Sequence, residues 1–132
     1  MKYKVGLLFG VFDGLHKGHE FLLNEALKET ETLYVVVARD MIVENLKSRL
    51  PAITHVQRRA NLEKYSQRIK TVSGDTVLGL WTAIHEVNPE VVFIGYDQVK
   101  MKEALLRDFP NRKFDVVDIL SFEPEKYHTS LL

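Results

Sequence analysis

The stretch GVFDGLHKGH, residues 10–19, concentrates polar side chains and glycines in a single turn. It follows the short apolar run Tyr3–Phe9, which predicts a strand. It precedes His19–Lys28, where apolar residues recur at three- and four-residue spacing and predict an amphipathic helix. Gly14 and Gly18 permit the tight backbone turns that such a connection needs. The chain is therefore expected to begin with a strand, a glycine-rich turn and a helix.

Strand-like and helix-like segments alternate along the rest of the chain. Apolar and β-branched runs predict further strands at Thr32–Ala38, Ile69–Val72, Val91–Ile94 and Lys113–Ile119. Amphipathic patterns predict helices at Thr54–Tyr65, Thr76–Val87 and Lys100–Phe109. The segment Asn45–Ile53, which contains Pro51, is expected to be a loop. This alternation implies an α/β fold in one domain, residues 1–132, with a parallel five-stranded sheet and helices on both faces.

The carboxyl ends of the strands are where an open parallel sheet binds its ligands, at the point where the strand order reverses. Five segments should meet at that edge, namely Gly10–Gly18, Ala38–Asp40, Ser73–Asp75, Gly95–Gln98 and the C-terminal tail. The aromatic residues Trp81 and Tyr96 are expected to pack in the core rather than to contact a ligand.

The composition excludes several classes of function. Among 132 residues, 18 Lys and Arg balance 18 Asp and Glu, so the chain lacks the basic excess of a non-specific nucleic-acid binder. There is no cysteine, which excludes disulfides, thiolate metal sites and a cysteine nucleophile. No apolar run reaches the roughly 20 residues that a membrane helix needs. We expect a soluble cytoplasmic protein with neither a nucleic-acid nor a membrane partner.

The turn at residues 10–19 has the composition of an anion site. A helix that starts here points backbone amides and its positive dipole end at one spot. His16 and His19 can aim ring N–H groups at the same spot, and Lys17 adds positive charge. Such a group of donors suits a phosphate that gains negative charge during a reaction. Two other interpretations remain open: a plain tight connection, and a metal site made by Asp13, His16 and His19.

The same residues resemble a known signature. GVFDGLHKGH matches the G-x-F-D-x-x-H-x-G-H pattern of the cytidylyltransferase-like nucleotidyltransferases, which implies a Rossmann-like domain and transfer of a nucleoside monophosphate with release of pyrophosphate. Many members carry Thr or Ser after the first glycine, and Val11 stands there instead, so a hydroxyl contact is lost. The resemblance implies nucleotide contacts at Gly10, Val11, Phe12, Asp13, His16, Lys17, Gly18 and His19.

The resemblance extends along nearly the whole chain. The segments VVVARD (35–40), LKSRLPAITHVQR (46–58) and GYDQ (95–98) are similar to those of archaeal-type FAD synthases, which implies AMP transfer from ATP to FMN. Mg²⁺ bound to ATP is implied by the chemistry rather than by a ligand motif. A phosphate acceptor is already deprotonated, so no general base is required, and the two histidines would act as hydrogen-bond donors.

Further site residues follow from this resemblance. Lys47 would be a mobile-loop lysine that clamps the triphosphate, and Arg58 would support phosphate charge. Asp97 would accept hydrogen bonds from the nucleotide, although an Asp at that position can instead cap the next helix. Thr129 and Ser130 would supply hydroxyl contacts to phosphate, although only two leucines follow where the family has a full helix.

Two other functions remain open. The first is a sister reaction, either glycerol-3-phosphate cytidylyl transfer or nucleotidyl transfer to a sugar phosphate. The second is a nucleotide-binding module without catalysis, which would not need both His16 and His19. A homodimer is also expected, because family members often dimerise and the segments near Val43 and Leu50 look apolar.

Overall fold

A computed structural model describes residues 1–119. Its five strands form one sheet in the order β3-β2-β1-β4-β5, and every adjacent pair is parallel. The strands are β1 Tyr3–Gly10, β2 Thr30–Val37, β3 Ile69–Ser73, β4 Val91–Gly95 and β5 Asp115–Ile119. The predicted α/β fold with a parallel five-stranded sheet is confirmed.

Helices cover both faces of this sheet. They are α1 Lys17–Glu29, α2 Asp40–Lys47, α3 His55–Tyr65, α4 Thr82–Val87 and α5 Val99–Asp108. Successive residues of a strand point to opposite faces, so Leu8 belongs to the core beneath α1 and α3, whereas Leu7 belongs to the core beneath α4 and α5. Both side chains are buried, as expected for a strand in the middle of a parallel sheet.

Helix α2 was not predicted. The segment Ala38–Asp40 was expected to be a loop at the edge of the sheet and Asn45–Ile53 another loop, but the helix begins at Asp40 and continues to Lys47. Its apolar contribution to the core is small, namely Ile42 and Val43, which is too short a pattern to show a helical period. Because Val43 is buried, it cannot contribute to a dimer surface, whereas Leu50 is exposed.

Helix α4 is half as long as predicted. It spans Thr82–Val87, and the preceding part of the expected helix is an irregular segment with Gly79 at φ +90°. The Thr82 amide donates to Asp75 Oδ2 at 3.1 Å, which caps the shortened helix. Val77 and Leu80, placed on the apolar face by the sequence pattern, are exposed instead.

The strand order reverses between β1 and β4. From β1 the chain adds strands outwards to β3 on one side, and then returns to add β4 and β5 on the other. Connections that leave β1 and β4 in opposite directions open a crevice at the carboxyl ends of these two strands. Within residues 1–119, none of the helices has the length and apolar character that a membrane span requires.

Candidate active site

A cleft of about 840 Å³ lies at the carboxyl ends of β1 and β4. Of the residues that the sequence singled out, it is lined by Gly10, Val11, Phe12, Asp13, His16, His19, Lys47 and Asp97. Lys17, Gly18 and Arg58 do not line it, and Thr129 and Ser130 lie outside the described residues. The structure thus brings most of the predicted residues together.

The turn is held in an unusual backbone conformation. Phe12 has φ +53° and its ring is buried, which is uncommon for a bulky residue, and Gly14 has φ +91°. A Cβ atom on Gly10 would lie 2.4 Å from Cε2 of Phe12, so any side chain at this position would displace the Phe12 ring. The Phe12 ring in turn contacts the His19 ring, at 5.1 Å between centroids. The buried ring therefore sets the position of one of the two histidines.

His16 caps helix α1 with its own ring. Its Nδ1 accepts hydrogen bonds from the amides of Gly18 at 3.0 Å and of His19 at 3.3 Å. The expectation of free amides at this helix start is therefore wrong for these two groups, because the imidazole occupies them. An Nδ1 that accepts carries no proton, so the ring proton lies on Nε2. Neutral His16 is thus already a hydrogen-bond donor through Nε2.

His19 has the opposite proton arrangement. Its Nδ1 lies 2.9 Å from the Gly14 carbonyl oxygen, which can only accept, so Nδ1 carries the proton. The His16 amide also lies 3.4 Å from this Nδ1, but a hydrogen bond between them would require an Nδ1 without a proton. The shorter contact with the Gly14 carbonyl needs the proton on Nδ1, so the longer contact is not a hydrogen bond. The remaining nitrogen, Nε2, donates only when the ring is protonated. Burial lowers the pKa of His19, and the neighbouring His16 lowers it further.

The two imidazole rings stack. Their centroids are 3.6 Å apart and their planes differ by 19°. Two positive charges at this distance repel, so the pair favours a state with at most one imidazolium. An incoming anion would compensate that charge. The stacked pair therefore supplies one permanent donor, from His16, and one donor that forms on protonation, from His19.

Asp13 ties the turn to the segment after α2. Its carboxylate accepts hydrogen bonds from the amides of Ala52 at 2.9 Å and Ile53 at 2.8 Å, and these bonds lower the pKa of Asp13. The resemblance implied a nucleotide contact for this residue. In the structure, both carboxylate oxygens of Asp13 accept hydrogen bonds from the backbone, so Asp13 positions the wall of the cleft.

Arg58 does not reach the cleft. Its side chain is 0% exposed, and its guanidinium donates to the carbonyls of Val11 at 2.7 Å and Ile53 at 3.0 Å and to Asp40 Oδ1 at 2.7 Å. This guanidinium lowers the pKa of Asp40. The predicted phosphate contact is incompatible with this burial. Arg58 instead joins the turn, α2 and the start of α3.

The exposed charged residues of the cleft come from other elements. Lys47 is the last residue of α2 rather than part of a loop, and Asp97 is exposed between β4 and α5. Asp97 does not cap α5, whose first flanking residue is Gln98. Arg49 and Lys100 also line the cleft and were not predicted, because the sequence marks them only as charged residues.

Gln98 was also missed, and it holds the two central strands together. Its side-chain oxygen accepts from the Gly95 amide at 2.8 Å, and its side-chain nitrogen donates to the Phe9 carbonyl at 2.8 Å. The side chain therefore bridges the ends of β1 and β4 at the floor of the cleft. Its position in the segment GYDQ was the available signal.

Metal-ligating residues do not cluster in residues 1–119, where no group of three His, Cys, Asp or Glu side chains could hold an ion. The carboxylate of Asp13 is engaged by amides, and Nδ1 of each cleft histidine is engaged by the backbone. A cation at this site would therefore depend on oxygen ligands from a bound phosphate.

Comparison with known proteins agrees with this geometry. A model of the family described as cytidylyltransferase-like matches residues 7–131. The chain belongs to this family. A curated relative, an FAD synthase from Aciduliprofundum boonei, is 39% identical over 89 residues, which is 67% of this chain. The chain spans 58% of the length of that relative.

Solved structures of similar fold extend the comparison. A lipopolysaccharide core biosynthesis protein from Thermoplasma volcanium superposes with a TM-score of 0.77 at 26% identity, over 92% of this chain and 99% of the other. A bifunctional NMN adenylyltransferase/ADP ribose pyrophosphatase from Francisella tularensis gives a TM-score of 0.66 at 14% identity, over 92% and 39%. The second comparison shows the shared fold alone. Membership of the family thus rests on the family model and fits the observed sheet topology.

Proposed function

We propose that this family member transfers AMP from ATP to FMN, giving FAD and pyrophosphate. The observation that carries the proposal is the stacked pair His16 and His19 at the end of β1, in a cleft that also receives Lys47. The curated FAD synthase relative supports the choice of ATP and FMN as substrates.

The reaction needs charge stabilisation and alignment rather than a base. A phosphate oxygen of the acceptor attacks the α-phosphorus of the nucleotide, and the bond from that phosphorus to the β-phosphate oxygen breaks. His16 donates through Nε2 without any change of protonation. His19 donates through Nε2 after it takes up a proton, and Lys47 adds positive charge at the mouth of the cleft. Donors fixed before the reaction lower the barrier most where negative charge develops.

Mg²⁺ is proposed to enter with the triphosphate. Oxygen atoms of phosphate and water are the ligands that this ion prefers, and it usually needs only one or two protein carboxylates. When bound, it would neutralise charge on the leaving pyrophosphate. Asp97 is the exposed carboxylate of the cleft that could contact it or its water shell.

A pyrophosphate-release assay with ATP or CTP, each with FMN or glycerol 3-phosphate, tests the proposal. Release with ATP and FMN alone is expected. Release with CTP and glycerol 3-phosphate would favour the sister cytidylyl reaction, and ATP binding without turnover would favour a binding module. His16→Ala and His19→Ala should each lower turnover at least about a hundredfold. His85→Ala is a matched control, since His85 is an exposed histidine of α4 outside the cleft.

The expected homodimer stays a prediction. Sedimentation at assay concentrations tests it, and a monomer that is fully active would contradict it.

A further inference from the structure

Strands β1 and β4 separate before they reach the cleft. Within residues 1–119, their ladder pairs only Gly6 with Val91 and Leu7 with Val92. The ladder between β1 and β2, by contrast, continues to Gly10. The last residues of β1 and β4 therefore diverge, and the cleft opens between them.

The side chain of Gln98 replaces the missing part of this ladder. The Gly10 carbonyl accepts from the Ala38 amide on the β2 side, so the Phe9 carbonyl, one residue earlier, faces β4. Continued in the same register, the β1–β4 ladder would place Gly10 opposite Gly95 and would join the Gly95 amide to the Phe9 carbonyl. Gln98 joins these same two groups, because its Oε1 accepts from the Gly95 amide at 2.8 Å and its Nε2 donates to the Phe9 carbonyl at 2.8 Å. The carboxamide is therefore inserted between the strands like one additional peptide group, and it keeps their ends apart.

The two ends of this carboxamide have fixed roles. A backbone amide only donates and a carbonyl only accepts, so Oε1 has to face Gly95 and Nε2 has to face Phe9. Glutamine supplies both an acceptor and a donor, whereas an ionised glutamate of the same shape supplies acceptors alone. Gln98 is half-buried and Gly95 is buried, so the loss of either bond leaves a shielded polar group without a partner.

The neighbouring side chain of Asp97 is held at the same point. A Cβ atom on Gly95 would lie 3.3 Å from Gln98 Oε1 and 3.4 Å from Asp97 Oδ1, so both side chains fold back over the bare backbone of Gly95. Asp97 also acts on the other wall of the cleft. Burial and the neighbouring His16 lower the pKa of His19, and the charge of Asp97 opposes them by raising it. The distance between the histidine pair and Asp97 thus depends on the separation of the two strands.

Each wall of the cleft carries groups suited to phosphate. The β1 wall leads to the stacked pair His16 and His19, and the start of α5 carries Lys100. Transfer between two phosphates requires an in-line arrangement at the reacting phosphorus, and a misplacement of about 1 Å can lower the rate about a hundredfold. The spacing of the two walls is therefore expected to control the rate.

We propose that Gln98 is a positioning residue whose carboxamide sets the width of the cleft, and with it the alignment of the two phosphates. This role rests on the proposed nucleotidyl transfer, and it holds for any phosphate-bearing acceptor. Gln98 acts through the backbone of Phe9 and Gly95, which lead to the walls that carry His19 and Asp97.

Gln98→Glu tests this role through its pH dependence. At about pH 8 the ionised side chain still accepts from the Gly95 amide but cannot donate to the Phe9 carbonyl, so kcat should fall about a hundredfold, while ATP affinity in calorimetry should change far less. Protonation restores the donor, so the ratio of variant to wild-type kcat should rise at least about tenfold between about pH 8 and about pH 6. The ratio cancels the titration of His19 and of the substrates, which both proteins share. Gln67→Glu makes the same change at an exposed position outside the cleft, and its ratio should stay close to one throughout.

Hydrogen exchange of the Gly95 amide tests the inserted carboxamide without any turnover. Gln98→Leu fills the space but offers no acceptor, so this amide should exchange at least about tenfold faster than in the wild type. If the wild type releases no pyrophosphate with ATP and FMN, the proposed function fails, and the exchange rate still decides whether Gln98 joins the two strands.

Recovery of kcat at lower pH in Gln98→Glu, with ATP affinity retained, supports the positioning role, as does faster exchange at Gly95 in Gln98→Leu. Wild-type kcat of Gln98→Glu at about pH 8, or a loss that is the same at every pH, overturns it. An equal loss of ATP affinity overturns it too, because Gln98 would then be a nucleotide contact, and so does unchanged exchange at Gly95. Gln98→Glu keeps the shape of the side chain and one of its two bonds, so the test does not depend on whether Gln98→Leu folds.

Discussion

Replacement of Arg58 by Met distinguishes a structural role from a nucleotide-binding role. Methionine can fill the volume of the aliphatic stem, but the carbonyls of Val11 and Ile53 and the carboxylate of Asp40 lose their donor. Loss of one partner of a buried ion pair costs about 3–5 kcal/mol. Asp40 is 39% exposed and can be rehydrated, so we expect the lower end, about 3 kcal/mol.

The expected loss converts to a melting temperature. At about 2.1 cal/mol/K per residue, unfolding of a chain of 132 residues has an entropy of roughly 280 cal/mol/K, so Arg58→Met should melt about 11 °C lower. Arg58→Lys keeps a charge but not the three-way geometry, and should lose an intermediate amount. Arg112→Met removes an exposed arginine just before β5 and should change stability by no more than about 0.5 kcal/mol.

Thermal melts of these variants, with ATP affinity measured well below each melting temperature, complete the experiment. If Arg58 contacted phosphate, Arg58→Met would melt like the wild type and bind ATP at least about tenfold more weakly. That result would refute the reasoning from burial. The structure predicts a large loss of stability, together with an effect on ATP that arises only through displacement of the Val11 carbonyl.

Three further predictions concern protonation and the turn. Arg58 holds the pKa of Asp40 below its usual 3.8, so the contribution of this carboxylate to stability is complete above pH 3.8 and is lost as the pH falls through the folded-state pKa. In denaturant melts, the free energy of unfolding of Asp40→Asn should therefore fall less steeply at acid pH than that of the wild type. ATP binding near neutral pH should take up a proton, because a bound phosphate raises the lowered pKa of His19. Calorimetry in two buffers of different ionisation enthalpy measures this proton uptake. His19→Gln should abolish the uptake, whereas His16→Gln should not. Gly10→Ala pushes its Cβ into the Phe12 ring and should cost about 1–3 kcal/mol in a melt, with lower turnover because that ring contacts His19.

The strands were predictable because burial leaves a strong trace in the sequence. The run LYVVV of β2 is apolar on both faces, which only a central strand of a covered parallel sheet requires. Helix α4 was overestimated because Val77 and Leu80 share the helical spacing of Ile84 without sharing its burial. The periodic pattern shows only that these apolar side chains would share one face if the whole segment were helical. The part before Thr82 is instead irregular, with Gly79 at positive φ.

The candidate site was predictable in residue type but not in hydrogen bonding. The sequence indicated that His16 and His19 lie at one turn, because their spacing across a helix start fixes this locally. It could not indicate that the His16 ring would occupy the helix amides, or that Arg58 would be buried with Asp40. The burial of Arg58 depends on α2, because that helix supplies Asp40 and its short apolar pattern did not reveal it.

The position of the candidate active-site cleft follows from one feature of the topology. Because β1 lies in the middle of the sheet and the connections after β1 and β4 lead away in opposite directions, a crevice opens between the ends of these two strands. Gly10 leaves room there for the Phe12 ring, and Gln98 fixes the carbonyl of Phe9 to the end of β4. The bare backbone at Gly10 is thus needed to seat the Phe12 ring, and through the contact of that ring with His19 it sets the position of His19 in the cleft.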